Sequence, residues 1–166
     1  MKLYHGSTID IDSINLAMCR PYKDFGRGFY MTDIREQAEK MAVRVSRIYG
    51  GSPIVNEFVI RDDFREISDI NIKDFGEQTT DEWAKFVINN RKKGFWDIHC
   101  ELCNIDNKYD IVIGPVADDN MALLFRQYEN EIIDFETLLK GMIYKKTSSK
   151  YSFHTEKSIS LLRKVN

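Results

Sequence analysis

The chain has 166 residues, with 24 Lys+Arg against 26 Asp+Glu and a formal charge of −2. A chain of this length buries about 70% of its unfolded surface and can build its own core, so a single domain over residues 1–166 is expected. The charge balance excludes a global basic field for nucleic acid, and no apolar run approaches the roughly 20 residues that span a bilayer. Three cysteines (Cys19, Cys100 and Cys103) suit a reducing compartment better than a disulfide framework. The opening MKLYHGSTIDID has no apolar stretch of signal-peptide length. The expectation is a cytoplasmic protein with no membrane partner.

In chain order, Lys2-Leu3-Tyr4-His5 reads as a short strand, and residues 8–23 as a helical turn and loop. Asp24 to Thr32 is a Gly-interrupted loop running into an aromatic strand, where Gly26 and Gly28 permit positive φ or close approach to a ligand. Asp33-Ile34-Arg35-Glu36 predicts a capped helix whose apolar face is Ile34, Ala38, Met41, Val45 and Ile48, ending at Tyr49-Gly50-Gly51. Ile54–Ile60 predicts a strand, and residues 61–79 a charged, irregular stretch. Thr80 caps a helix bearing Trp83, Phe86 and Val87 that ends near Arg91-Lys92-Lys93-Gly94. Tyr109–Ile113 reads as a buried strand closed by Gly114-Pro115. Asp118-Asp119 opens another helix, Asp134 caps a short one, Tyr151–His154 is a last strand, and Thr155 caps a terminal helix carrying Ile159, Leu161 and Leu162. Strands and helices mix without βαβ regularity, which predicts an α+β fold.

Several groups of residues are candidates for chemistry. His5-Gly6-Ser7 follows a strand: the His can bond a ligand hydroxyl, and the Gly exposes main-chain N–H and C=O to a planar amide. The same tripeptide also fits a plain surface loop. Phe25-Gly26-Arg27-Gly28-Phe29-Tyr30 offers a ring for stacking and a guanidinium for a phosphate, and equally a tight turn with core aromatics. His99, Cys100 and Cys103 lack the fourth ligand that structural zinc requires, so packed thiols are expected and no metal. Asp118-Asp119 fits helix capping as well as acid–base chemistry. Arg91-Lys92-Lys93 fits a solvated helix end.

The first two groups taken together resemble the NAD-binding core of ADP-ribosyltransferases, specifically the His-Tyr-Glu group of poly(ADP-ribose) polymerases and diphtheria toxin. Nearly the whole chain resembles the domain-of-unknown-function 3990 family, a bacterial family grouped with that superfamily. The supporting stretches are Asp24–Thr32, Glu82–Val87 with Asn90-Arg91, Asp110–Asp119 and Tyr151–Lys157. The resemblance implies an ADP-ribosyltransferase-like split β-sheet core with flanking helices, with NAD as substrate and no metal. His5 would bond the adenine-side ribose, Gly6 would clamp the nicotinamide carboxamide with help from Ser7, and Tyr30 would stack on the nicotinamide ring. Met41 would cover a second ring face, and Arg27, with Gly28 beside it, would face the pyrophosphate.

One position departs from the pattern. The strand that opens with a catalytic Glu in the polymerases aligns with Ser149-Lys150-Tyr151-Ser152-Phe153, which puts Lys150 in the Glu position. A cation there raises the barrier to an oxocarbenium-like transition state. An acid from another element (Asp118, Asp119 or Glu129) is the expected replacement, with Asp119 the candidate catalytic carboxylate. A shifted alignment of this strand, or binding with poor catalysis, stays open beside it. The expected function is mono-ADP-ribosylation of a macromolecular acceptor, protein or nucleic acid, in the setting of a toxin restrained by an antitoxin protein. The alternatives are a catalytically lapsed module that binds NAD, ADP-ribose or a protein, and a Mg²⁺-dependent nucleotide hydrolase using Asp118 and Asp119.

Overall fold

The computed structural model describes residues 1–116, 119–142 and 149–165, residues 119 and 120 through their backbone only. In chain order the strands are β1 (Lys2–Ser7), β2 (Phe29–Met31), β3 (Ile54–Ile60), β4 (Ile72–Asp74), β5 (Ile111–Pro115), β6 (Ser149–Phe153) and β7 (Leu162–Lys164). The helices are α1 (Arg35–Tyr49), α2 (Asp81–Arg91), α3 (Asp119–Glu129), α4 (Phe135–Met142) and α5 (Glu156–Ile159). The fold is mixed α+β.

The strands form two sheets. One has the order β1-β3-β7 and is antiparallel throughout; the other has the order β2-β6-β5-β4, with only β4 and β5 parallel. Alternation along β2, β5 and β6 sorts their side chains cleanly. Phe29, Met31, Ile111, Ile113 and Phe153 enter a core shared with Leu3 and Phe58 of the first sheet. Val112 enters a second core with Phe25, Trp83, Phe86 and Met121, and Tyr30 packs against it. The second sheet is therefore buried on both faces, one by strands and one by helices.

The helix starts follow from local chemistry. The Thr80 hydroxyl accepts from Trp83 N at 3.1 Å, and the buried Trp83 indole donates to the Pro115 carbonyl at 2.8 Å, which ties α2 to β5. Asp134 accepts from Thr137 N at 2.8 Å at the start of α4. Thr155 and Ser158 form a reciprocal capping box on α5.

Four expectations are corrected. The N-cap of α1 is Ile34 without a side-chain bond; Thr32 Oγ1 instead accepts from Ile34 N at 3.2 Å. The face that α1 buries is Ala38 and Ala42, while Ile34, Met41 and Ile48 are exposed. The reason lies in β1: a Cβ at Gly6 would stand 2.1 Å from Ala38 O and 2.6 Å from Ala42 N. The helix backbone rests on the glycine, and so close an approach leaves room only for small side chains. Residues 61–79 are not wholly irregular, since Ile72–Asp74 pairs parallel with β5. That makes β4-α2-β5 a crossover unit, hidden in the sequence by a three-residue strand carrying Lys73 and Asp74. The terminal helix stops at Ile159, and Leu162 belongs to β7, because the free edge of β3 offers Leu162–Lys164 a ladder.

Replacing Gly6 by Ala forces main-chain atoms apart, which flexible side chains cannot relieve. Gly6→Ala should cost about 3 kcal/mol, the upper end of overpacking penalties, and lower the melting temperature by roughly 6–12 °C. Thermal unfolding by circular dichroism checks this, and an unchanged melting temperature would show that α1 does not sit on β1.

Candidate functional site

The two sheets meet where β1 passes β2. Tyr4 N donates to Thr32 O at 2.7 Å and Thr32 N to Tyr4 O at 3.0 Å, an isolated antiparallel bridge. Tyr4 thus turns its main-chain groups away from β3. Strand alternation gives Leu3, His5 and Ser7 the β3 side and gives Gly6 the same free edge as Tyr4. The N–H and C=O of Gly6 therefore point along the seam between the sheets, beyond the bridge.

His5 projects from the opposite face of β1 to Gly6, toward the second sheet. Its ring stacks on Phe29 with centroids 4.4 Å apart, and Nδ1 lies 2.8 Å from the Tyr30 carbonyl. A carbonyl can only accept, so Nδ1 carries the proton. Burial lowers the His5 pKa, against the hydrogen bond to Tyr30, and the Lys150 charge lowers it further. A neutral ring with Nδ1 protonated leaves a lone pair on Nε2, so toward a ligand hydroxyl His5 is an acceptor.

Tyr30 is fixed from its own loop. Its hydroxyl accepts from Phe25 N at 2.9 Å and donates to Gly26 O at 2.8 Å. The ring lies near-parallel to Phe25 at 6.2 Å and meets His154 edge-on at 6.3 Å. Burial raises the phenol pKa well above its usual value, with the Asp24 charge acting in the same direction. Gly26 takes φ of 91°, which a side chain would resist. Gly28 is needed for another reason: a Cβ there would stand 2.7 Å from His154 Nδ1. The second glycine makes room for a buried imidazole of the protein itself.

That imidazole follows directly on β6. His154 is buried, its Nδ1 donates to Arg27 O at 2.7 Å, and its Nε2 lies 2.8 Å from the Ser152 hydroxyl. Burial pushes its pKa down to about 4, so at neutral pH Nε2 is unprotonated, and the one Ser152 hydroxyl proton is shared between Nε2 and the Val112 carbonyl 3.0 Å away. The pair staples β6 to the carbonyl between the two glycines. A second tie joins the loop to α2: Arg91 Nη1 donates to the buried Asp24 carboxylate at 2.7 Å, and its guanidinium lies 4.5 Å from the Phe125 ring centre. Arg91 is thus a structural anchor and not a solvated helix end. Neither tie was legible in the sequence, because each partner lies more than sixty positions away.

The remaining candidates divide. Register puts Ser152 directly across from Tyr30, so Lys150, two residues earlier, shares the Tyr30 face of the sheet. Lys150 is half-buried, its pKa is lowered by burial, and Asp24 acts against that shift. Ser7 is half-buried and accepts from Ile9 N at 3.3 Å. The Arg27 side chain is exposed, with Nη1 3.5 Å from Ala17 O. Met41 is exposed on α1, outside the Ala38–Ala42 stripe that meets β1, which removes the packed position expected for it. Glu129 is exposed at the far end of α3 from Asp119. Asp118 and the side chain of Asp119 lie outside the described residues. The Cys103 sulfur is buried among main-chain carbonyls, the closest being Ile98 O at 3.1 Å, and His99 is exposed beside Asp106. Among the described residues no three His, Cys, Asp or Glu side chains converge on a point that would hold a metal.

The chain matches a family model described as Protein of unknown function (DUF3990) over residues 1–163, and it belongs to that family. No curated protein and no solved structure matches it. Among the described residues, no helix is long and apolar enough to cross a membrane.

The His154 pKa sets a pH dependence. The ring takes a proton near pH 6.5 when unfolded and near 4 when folded, so the unfolded state binds more protons in between. Stability from this group is complete above pH 6.5 and is lost as pH falls toward 4, about 3 kcal/mol in all. His5 adds loss of the same sign. Urea unfolding at pH 7.0 and pH 4.5 should show the loss, and His154→Gln should remove most of the pH-dependent part.

Proposed function

We propose that this chain is an NAD-dependent mono-ADP-ribosyltransferase acting on a macromolecular target, with an ADP-ribosyltransferase-like split sheet as its scaffold. The observation that carries the reading is the 2.8 Å bond from the His5 imidazole to the Tyr30 carbonyl. Two motifs separated by 25 positions, each weak alone, meet within one hydrogen bond at the junction of the two sheets. The free-edge N–H and C=O of Gly6 support the same reading, since a planar carboxamide needs one acceptor and one donor side by side.

In this reading the residues work by holding and orienting. Gly6 pairs with the nicotinamide carboxamide. Tyr30, locked by both of its hydroxyl bonds, presents a ring that does not have to be ordered when the ligand arrives. His5 accepts from a ribose hydroxyl through Nε2. Pinning the pyridine ring aligns the bond between ribose C1′ and the nicotinamide nitrogen. That bond breaks with its electron pair going to the nitrogen, which releases neutral nicotinamide, and a nucleophile of the acceptor bonds C1′. A toxin restrained by an antitoxin, in the cytoplasm, is the setting that goes with this activity.

A second reading rests on Lys150. An ammonium on the Tyr30 face opposes positive charge on the ribose, which favours a catalytically lapsed module that retains NAD or ADP-ribose. Release of nicotinamide from NAD by the purified chain separates the two. The transferase reading expects release that falls more than about tenfold, ~1.4 kcal/mol of barrier, in both His5→Ala and Tyr30→Ala. Tyr30→Phe, which keeps the ring, should retain more activity than Tyr30→Ala. Binding of NAD by calorimetry with no release, and release restored by Lys150→Glu, would establish the lapsed module instead.

A further inference from the structure

The charge on Lys150 bears on what the site acts upon, if the transferase reading holds. β6 runs beside β2, with Tyr30 opposite Ser152 and Met31 opposite Tyr151, which brings Lys150 alongside the end of β2 on the Tyr30 face. On its other side Lys150 faces Gly114 of β5. The Cβ position of Gly114 is 3.0 Å from Phe75 and 3.5 Å from Phe25 carbon atoms, so the strand position across from Lys150 is packed by aromatic side chains. Among the described residues no hydrogen bond or ion pair reaches its Nζ. Among the described residues, the titratable groups that interact with its charge are His5, held neutral, and Asp24, which is tied to Arg91. A half-buried cation on the Tyr30 face has lost part of its hydration with no carboxylate of the described residues bonded to it, so an incoming anion gains more there than at an exposed lysine.

We propose that Lys150 is a specificity residue for the acceptor, and that the acceptor is a protein carboxylate, an Asp or Glu side chain. The chemistry closes without a further catalyst. A carboxylate oxygen bonds ribose C1′ as the bond from C1′ to the nicotinamide nitrogen breaks. The electron pair goes to that nitrogen, a pyridinium becomes neutral nicotinamide, and the carboxylate becomes an ester. No proton moves, so no general base is required. The negative charge that a resident Glu would supply to the ribose cation arrives with the acceptor, and Lys150 holds the acceptor's second oxygen. A phosphate end of a nucleic acid has the same local chemistry. It brings a polyanion, however, and a chain of formal charge −2 has no general attraction for one.

The test uses the full chain, NAD labelled in its adenylate phosphate, and three acceptors. These are a peptide of alternating Glu and Ala, its Gln counterpart, and a 5′-phosphorylated single-stranded oligonucleotide. The expected result is label on the Glu peptide, released by neutral hydroxylamine as an ester would be. Lys150→Met should raise the KM for that peptide at least tenfold, and Lys150→Arg, which keeps the charge, should restore it. Label on the Gln peptide or the oligonucleotide at equal or greater yield overturns the assignment. So does a Lys150→Met variant that loses kcat with KM unaltered. Nicotinamide release measured without acceptor keeps the two levels apart. Release with no labelling of the Glu peptide sinks only the carboxylate acceptor, whereas no release under any condition sinks the transferase reading and this proposal together.

Discussion

Everything at the candidate site depends on a short seam between two sheets. Tyr4 and Thr32 exchange two main-chain bonds, and the His5 side chain adds a third to the carbonyl of Tyr30, two residues before Thr32. Three hydrogen bonds would count for little in water, where each nets about 1 kcal/mol. Here they lie beside a core that holds Leu3, Phe29 and Phe58, so opening the seam would expose apolar surface as well. The seam also fixes orientation. Because Tyr4 turns its main-chain groups toward β2, Gly6 must do so too, and the pleat then sends the His5 side chain to the other face. One register decides both the edge and the imidazole.

Two glycines near this seam are there for close packing, and neither has a positive φ. Gly6 seats the backbone of α1, and Gly28 seats the ring of His154. The consequence is a loop held from three directions: by Arg91 of α2 through Asp24, by His154, the residue after β6, through Arg27, and by Tyr30 itself through Phe25 and Gly26. A loop so tied loses little entropy when a ligand meets it, which is what a stacking platform requires.

Lys150 gives the site its electrostatic character. In a strand buried on both faces, charged residues are uncommon unless partnered. The lowered pKa of Lys150 records the desolvation, and His5 is lowered first by its own burial and then by the Lys150 charge. In the proposed transferase a negative charge has to offset this cation during chemistry, and in the proposed lapsed module none does.

Residue order alone specified much of the framework. The alternation of Ile54–Ile60, the cap at Thr80, the caps at Asp134 and Thr155 and the turn at Gly50 are local signals with local causes, and they yield an α+β chain. The two candidate motifs were visible too, as a strand-end imidazole and a glycine-flanked phenol. What local patterns could not carry was partnership across the chain. Leu162 looks helical until the open edge of β3 claims it. The apolar stripe through Met41 looks buried until Gly6 draws the helix backbone so near that only Ala38 and Ala42 fit. The packing need for a glycine at position 28 comes from His154, at the far end of the sequence. Sequence periodicity encodes which side of an element is apolar, whereas the distance of closest approach between two elements is set by both at once, and that distance exists only in the folded chain.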